Sequence, residues 1–418
     1  MRLRILLHSV LNRRWTVLLT LFSLVISIML VLGINHIRAQ TKEAFSNTLS
    51  DTDLIVGARS GPINLLLYSV FHLGNPTHNV QWNTYEELAK HSQVDWLIPL
   101  ALGDSHKGHR VVATTADFFA HYAYGNKQRL RIAEGKTFVA PFEVVLGAAV
   151  ARKQGYRIGA NIILAHGIAD VSLAKHDDAP FTVSGILAPT GTPVDKSVFI
   201  SLAGMEAIHR DWHSGVHIPT QSSSDQQNVL TNAHPETLSA MLVGLKSRSA
   251  LFTVQRQINQ YTNEPLQAVV PGLVLAELWQ LMDSVEIAFT VIAWLVVGAS
   301  LLGMTTSLLT ALNERQREFA VMRALGAGPG YLFTLIMSEV LFICVIAIVL
   351  AILLLTATLA LLQPWLLGIW GLSISLNVMG SNQLLYLAGV LITAIVLSVI
   401  PAWVVYRRSL HDGLSMRI

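Results

Sequence analysis

Long apolar runs and a single polar-rich block divide the chain. Trp15 to Ile34 carries no charge over about 20 residues, enough to cross a hydrocarbon core of roughly 30 Å as a helix. Three further apolar runs follow late in the chain, at about 285–312, 331–362 and 384–406. The second and third exceed the usual span, which predicts helices that project beyond the bilayer or break. Ala299 and Gly303 form a small-residue pair that lets another helix approach closely. Residues 1–14 place Leu3, Leu7, Val10 and Leu11 at helical spacing among four arginines, the pattern of an amphipathic helix on the membrane surface. The first apolar run is too long for a signal-peptide core, and no A-x-A site follows it, so a retained anchor is expected.

From Arg38 to Asp283 the pattern changes. Charges, Gly, Pro and Asn become frequent, and no run is long enough to span a bilayer. Short β-branched or alternating segments at 54–56, 94–100, 111–114, 143–146, 162–164, 181–187 and 197–200 predict strands. Thr84 followed by Glu87 predicts a capped helix over 84–92, and 205–210 and 253–261 also read as helical. Thr41 to Ser50 reads as a helical stalk continuing the first span. The expected architecture is a membrane protein with four transmembrane helices and a large α+β domain inserted between helices 1 and 2. Its divisions are 1–37, 38–284 and 285–418, with two lobes in the middle part meeting near the polar stretch 219–235.

Charge fixes the orientation. Arg2, Arg4, Arg13 and Arg14 precede the first span, Arg315, Arg317 and Arg323 lie between the second and third, and Arg407, Arg408 and Arg417 follow the fourth. The connection 363–383 has no charge. The positive-inside rule then puts both termini and the 313–330 connection in the cytoplasm and the large domain outside. Composition agrees: only 13 % of residues are charged and 52 % are hydrophobic, too apolar for an ordinary soluble chain of this length. The single cysteine, Cys344, allows no internal disulfide. Charge in the large domain is nearly balanced, which argues against a nucleic-acid partner.

Catalytic motifs are missing. Gly135-Lys136-Thr137 resembles the end of a phosphate loop, but the pattern requires glycine where Leu130 stands, so it is read as a turn. Neither a G-x-S-x-G elbow nor an H-E-x-x-H pair occurs. The chain is therefore expected to be non-catalytic and to hold no cofactor. Of 15 histidines, 12 lie between His72 and His234. His209, His213 and His217 are spaced to share a helix face and form a weak metal candidate; Gly215 interrupts that helix and no further ligand set completes the site, so no metal is expected. His106 and His109 are a weaker case. Glu339, inside the third run, is either functional or a structural hydrogen-bonding group, and the structural reading is preferred.

The connector 313–326 is the strongest local signal. Glu314 with Arg317, and Arg315 with Glu318, are opposite charges at i, i+3 that support a helix. Phe319, Val321, Met322 and Leu325 give it apolar contacts, and Gly326 is a natural stop. Its sequence, NERQREFAVMRALGAG, resembles the coupling-helix signature of the FtsX/MacB-type ABC transporter permeases. PAWVVYRRSL (401–410) is similar to that family's closing motif. Residues 144–164 and 181–201 resemble the MacB-type periplasmic core. The resemblance covers nearly the whole chain, including its layout of one span, a large domain and three spans.

The resemblance implies a mechanotransmission permease of the type VII ABC class in a bacterial inner membrane. Such permeases form homodimers and bind two copies of a separate cytoplasmic ATPase, which holds the ATP. Movement passes along the helices to the periplasm without an aqueous pore, serving efflux, lipoprotein handling or control of a wall hydrolase. Periplasmic adaptors, lipoproteins or hydrolases are the outer partners implied. Glu314, Arg315, Glu318, Arg323, Ala324, Leu325 and Gly326 match the coupling signature, and Arg317 and Met322 complete the expected ATPase-coupling set. The chain departs from the pattern at Gly328-Pro329-Gly330, where other members often carry a basic residue. Two rival readings stand beside this: an FtsX-like regulator, which keeps the fold but switches a periplasmic cell-wall enzyme without moving cargo, and, third, a metal-responsive membrane receptor built on the histidines.

Overall fold

The computed structural model describes residues 14–166, 179–209, 212–213, 216–217, 233–369 and 375–411. Its helices are α1 Arg14–Ser46, α2 Pro62–Ser69, α3 Trp82–Ala89, α4 Asp117–His121, α5 Ala148–Gln154, α6 Leu202–His209, α7 Leu251–Asn259, α8 Pro271–Glu314, α9 Gln316–Ala324, α10 Pro329–Ile369 and α11 Ser381–His411. Contacts divide the chain into two units. One comprises 1–40, 282–364 and 374–418; the other comprises 41–281 and 365–373.

Among the described residues, the first unit is built on four helices long and apolar enough to cross a membrane: α1, α8, α10 and α11. Helix α8 has 44 residues and α10 has 41, about 66 and 62 Å at 1.5 Å per residue, roughly twice a hydrocarbon core. Neither breaks, although Pro364 lies inside α10 and Pro401 inside α11. A shared core joins Leu24, Ile28, Leu32, Val297, Leu301, Ile343, Ala347, Val390 and Ala394 from the four helices. Arg38 on α1 pairs with Glu286 and, at 4.0 Å, with Asp283 on α8.

The second unit is a mixed α+β domain on one eleven-stranded sheet. Its strands are β1 Leu54–Ala58, β2 Val94–His106, β3 His109–Thr114, β4 Ile132–Gly135, β5 Glu143–Leu146, β6 Asn161–Ile162, β7 Ala165–His166, β8 Phe181–Leu187, β9 Val198–Ser201, β10 Ala240–Leu245 and β11 Leu266–Val269. The main order is β11-β1-β10-β2-β3-β9-β5-β8-β4, with β7 paired to β2 and β6 to β8. Most neighbours are antiparallel; β9 with β3 and β8 with β5 are parallel.

Strand alternation separates two cores. Val144, Leu146, Val198 and Ile200 face a layer closed by α3, α5, α6 and α7, while Val145 and Phe199 face one closed by α2 and α4. With side chains alternating at a period of two, β-branched and aromatic runs buried on both faces are what such a sheet requires. Phe199 sits among Phe118 and Phe119, at ring separations of 5.1 and 5.8 Å. The sheet is continuous through the domain, and most of the polar stretch expected to separate two lobes lies outside the described residues, as does the expected surface helix at the N-terminus.

Two local expectations are corrected. Thr84 does not cap a helix: α3 starts at Trp82, and the Thr84 hydroxyl donates instead to Glu264 at 2.7 Å. Glu87 accepts from the Tyr261 hydroxyl. Two tertiary partners, the Glu264 carboxylate and the Tyr261 hydroxyl, took the two members of the local box. The second correction concerns the histidines: α6 ends at His209, and Trp212–His213 pairs antiparallel with Val216–His217. Strand pairing puts Trp212 opposite His217, so the three histidines share no helix face.

Candidate coupling site

Helix α9 forms because α8 ends at Glu314 and only Arg315 intervenes before the helical pattern resumes. Arg315 has φ −93° and ψ 9°, while its N–H still reaches the Ala311 carbonyl at 3.1 Å and its carbonyl accepts from Phe319 at 3.0 Å. The turn is thus a change of direction rather than an interruption. At the far end Gly326 has φ 95°. Its N–H donates to Arg323 O at 2.9 Å, and the Ala327 N–H donates to Met322 O at 3.0 Å. This is a Schellman closure, which puts a left-handed residue just past the helix and favours glycine there. Pro329 then opens α10, where its missing N–H leaves no intrahelical bond unmade.

The connector has an inner and an outer side. Inward, Phe319 is buried with Leu312, Leu332, Ile336, Ala402 and Val405, and Met322 packs partly against them. Outward, Val321 is 60 % exposed and Leu325 84 % exposed. Glu314, Arg317, Glu318, Ala324 and Gly326 are also exposed, whereas Arg323 is half-buried. An exposed leucine and valine rimmed by charges on a helix held firmly from behind is a surface suited to docking.

Arg315 stands apart from the rest of the expected set. Its side chain is 7 % exposed, its Nη1 donates to Glu339 Oε2 at 3.0 Å, and its Nε donates to Glu318 Oε2 at 2.9 Å. Its guanidinium lies 5.1 Å over the Phe319 ring. The Glu339 side chain is only 5 % exposed. Sequence spacing revealed the Arg315–Glu318 pair but not the partner 24 residues away. A buried carboxylate in an apolar helix was the one signal that a cation had to meet it.

The other candidates have local explanations. Gly135 ends β4 with φ 76°; the Lys136 N–H donates to Ser184 O at 2.9 Å, so the Gly135-Lys136 step runs along β8 rather than around a phosphate. His106 is held by Ile163 O at 2.7 Å and the Tyr156 hydroxyl at 2.8 Å. His109 Nδ1 lies 3.1 Å from Lys196 O. His209 lies 2.7 Å from Met205 O and 3.6 Å from Asp104. Burial works to lower the His209 pKa, but the hydrogen bond and charge of Asp104 carry it above its ordinary value. Among the described residues no three metal-binding side chains gather; the side chains of His213 and His217 are not among them. Ala299 and Gly303 are exposed on α8.

Comparison with known proteins adds the family. The family described as MacB-like periplasmic core domain matches residues 17–261, and that described as FtsX-like permease C-terminal matches 290–412. No curated protein matches the sequence. Among solved structures, the chain is similar to the periplasmic region of MacB from Actinobacillus actinomycetemcomitans, at 10 % identity over 55 % of this chain and 94 % of that one, with a TM-score of 0.34. It is also similar to the extracellular domain of the noncanonic ABC-type transporter YknZ from Gram-positive bacteria, at 12 % identity over 53 % of this chain and 100 % of that one, with a TM-score of 0.31. At such scores the two likenesses carry no weight; the assignment rests on the two matched regions, the larger of which covers more than half of the chain.

Proposed function

We propose, since this chain belongs to the MacB- and FtsX-like family of ABC transporter permeases, that it transmits ATP-driven movement from a separate cytoplasmic ATPase to the far side of a bacterial inner membrane. Members of this family are permease subunits that pair with cytoplasmic ABC ATPases. The observation that carries the finer reading is the two-sided connector. Its inner face is locked to the ends of α8, α10 and α11 through Phe319, while its outer face leaves Val321 and Leu325 uncovered. A helix so anchored moves with the spans when something grips its outer side.

On this reading Glu314, Arg317, Glu318, Arg323, Ala324 and Gly326 form the polar rim and frame of the grip, and Val321, Met322 and Leu325 its apolar centre. ATP is bound by the partner, and two copies of the permease meet two of the ATPase. Both termini and α9 lie in the cytoplasm and the sheet domain in the periplasm, as the arginine distribution supports. Efflux or handling of a lipoprotein or other envelope substrate is the transport that follows. The long unbroken α8 and α10 support transmission through the helices, and the scarcity of charged groups within the spans argues against a hydrophilic pore.

The test is affinity purification of the full chain from native membranes in mild detergent, with mass spectrometry of what accompanies it. An ABC ATPase at near-equal stoichiometry is expected, lost on L325D. Its absence under conditions that preserve other ABC complexes would overturn the reading.

A further inference from the structure

We infer that Arg315 and Glu339 form a latch through which movement of α9 enters α10, so that Arg315 is a positioning residue and not part of the surface that meets the ATPase. The inference rests on the coupling function proposed above and assigns its internal route.

Place decides the matter first. With its side chain 7 % exposed, Arg315 has almost no surface to offer a partner, while Arg317 two residues on is exposed. Glu339 is the tenth residue after Pro329, about 15 Å along α10 at the helical rise. The arginine therefore reaches past the first turns of α10 and fastens onto its body. The same guanidinium holds Glu318 through Nε and covers the Phe319 ring, so one side chain ties the junction of α8 and α9, the first turn of α9 and the interior of α10.

Energetics explain why such a pair is informative. Two opposite charges taken out of water regain little net stability, and apolar residues of similar volume generally do as well or better. What the charges add is direction. Hydrophobic contacts such as those of Phe319 with Leu332 and Ile336 hold the helices together but carry no directional bond of their own. A charge-assisted hydrogen bond at 3.0 Å holds one angle and one register. Sliding or separating α9 from α10 would take the Glu339 carboxylate from its counter-charge in an apolar setting and leave Arg315 with Glu318 alone, which resists such movement. Phe319 already supplies cohesion; the pair supplies coupling.

The experiment uses the full chain with its ATPase in nanodiscs, in a C344A background, with spin labels at L361C on α10 and V139C on the sheet domain, both exposed positions. The change in label distance between nucleotide-free and ATP-trapped states is measured, together with ATPase affinity and thermal stability. The double variant R315L/E339L, which replaces the pair by apolar volume, is expected to keep stability and to bind the ATPase within about threefold of the parent. Its ATP-driven distance change should fall by more than half. The swap R315E/E339R restores the cross-helix pair while setting a second carboxylate beside Glu318, and should recover part of that change, a rescue that mere packing would not produce. Full distance change in R315L/E339L overturns the latch while leaving the coupling function standing. A marked loss of ATPase affinity in that variant, with stability intact, also overturns it, because Arg315 would then belong to the docking surface. If the parent chain binds its ATPase without any distance change, the transmission reading fails and the latch with it.

Discussion

Replacing Leu325 with Asp isolates the outer face of the connector. Leu325 is 84 % exposed, so nearly the whole side chain is available to a partner and almost none of it supports the chain's own fold. Burying a leucine side chain contributes about 1.5–3 kcal/mol. L325A forfeits most of that, and L325D adds a carboxylate facing an apolar contact. Taking about 2–3 kcal/mol for L325D, the dissociation constant for the ATPase should rise about 30- to 150-fold, at about 1.4 kcal/mol per tenfold. L325A should show a smaller rise of about tenfold. The assay is equilibrium binding of the ATPase to the purified full chain in nanodiscs, with thermal melting alongside. Both Leu325 variants should melt as the parent does. M322D should differ, because Met322 is partly packed with Phe319, Leu332 and Ile336: it should weaken binding and lower the melting temperature together. The sequence alone treats Met322 and Leu325 as equivalent probes; the structure separates them. If L325D binds within about threefold of the parent, the outward face is not the docking surface and the reasoning from exposure fails.

Three further outcomes concern the sheet domain, each read in the full chain. F199A should lower its stability by about 3–5 kcal/mol, because Phe199 is fully buried among Phe118 and Phe119; a melting temperature unchanged from the parent would refute the assignment of the aromatic core. G135A should destabilise by at least about 1–2 kcal/mol, since φ 76° disfavours any side chain and the added carbon would lie 2.1 Å from Ser184 O; a variant as stable as the parent would contradict that backbone geometry. Acidification should destabilise the domain through His72, whose pKa is pushed down to about 3 by burial and by the charge of Arg110. Between that value and the ordinary 6.5 the unfolded state binds more protons, so stability falls as pH falls through this window, by at most about 1.4 kcal/mol per pH unit for this group. H72Q should flatten the slope, and an unchanged slope would exclude His72 as its source. His209 has the opposite sign: its raised pKa gives stability that is present below 6.5 and lost as pH rises through the folded value.

Much of the architecture was legible because it follows from local chemistry. An apolar run of bilayer length has one way to satisfy its backbone, so the four spans were readable from composition alone, and the arginines predicted their orientation. Short β-branched segments marked most of the central strands, and charge pairs with a terminal glycine marked α9. What local chemistry cannot carry is partner choice at a distance. Strand order in the sheet, with β1 between β10 and β11, depends on which buried faces meet. Thr84 and Glu87 fit a capping box in isolation, yet Glu264 and Tyr261 took their hydrogen bonds. The histidines fit a helix until strand pairing at 212–217 replaced it. The connector makes the division plainest. By itself the sequence determined that a charged helix closed by glycine lies between two spans within 313–326, observed as Gln316–Ala324 after a turn at Arg315, because helix propensity, i, i+3 pairs and a glycine stop act within a few residues. Only the tertiary structure decided that Arg315 turns inward to Glu339 while Leu325 turns outward, because a buried charge must find its counter-charge wherever packing of the spans brings one.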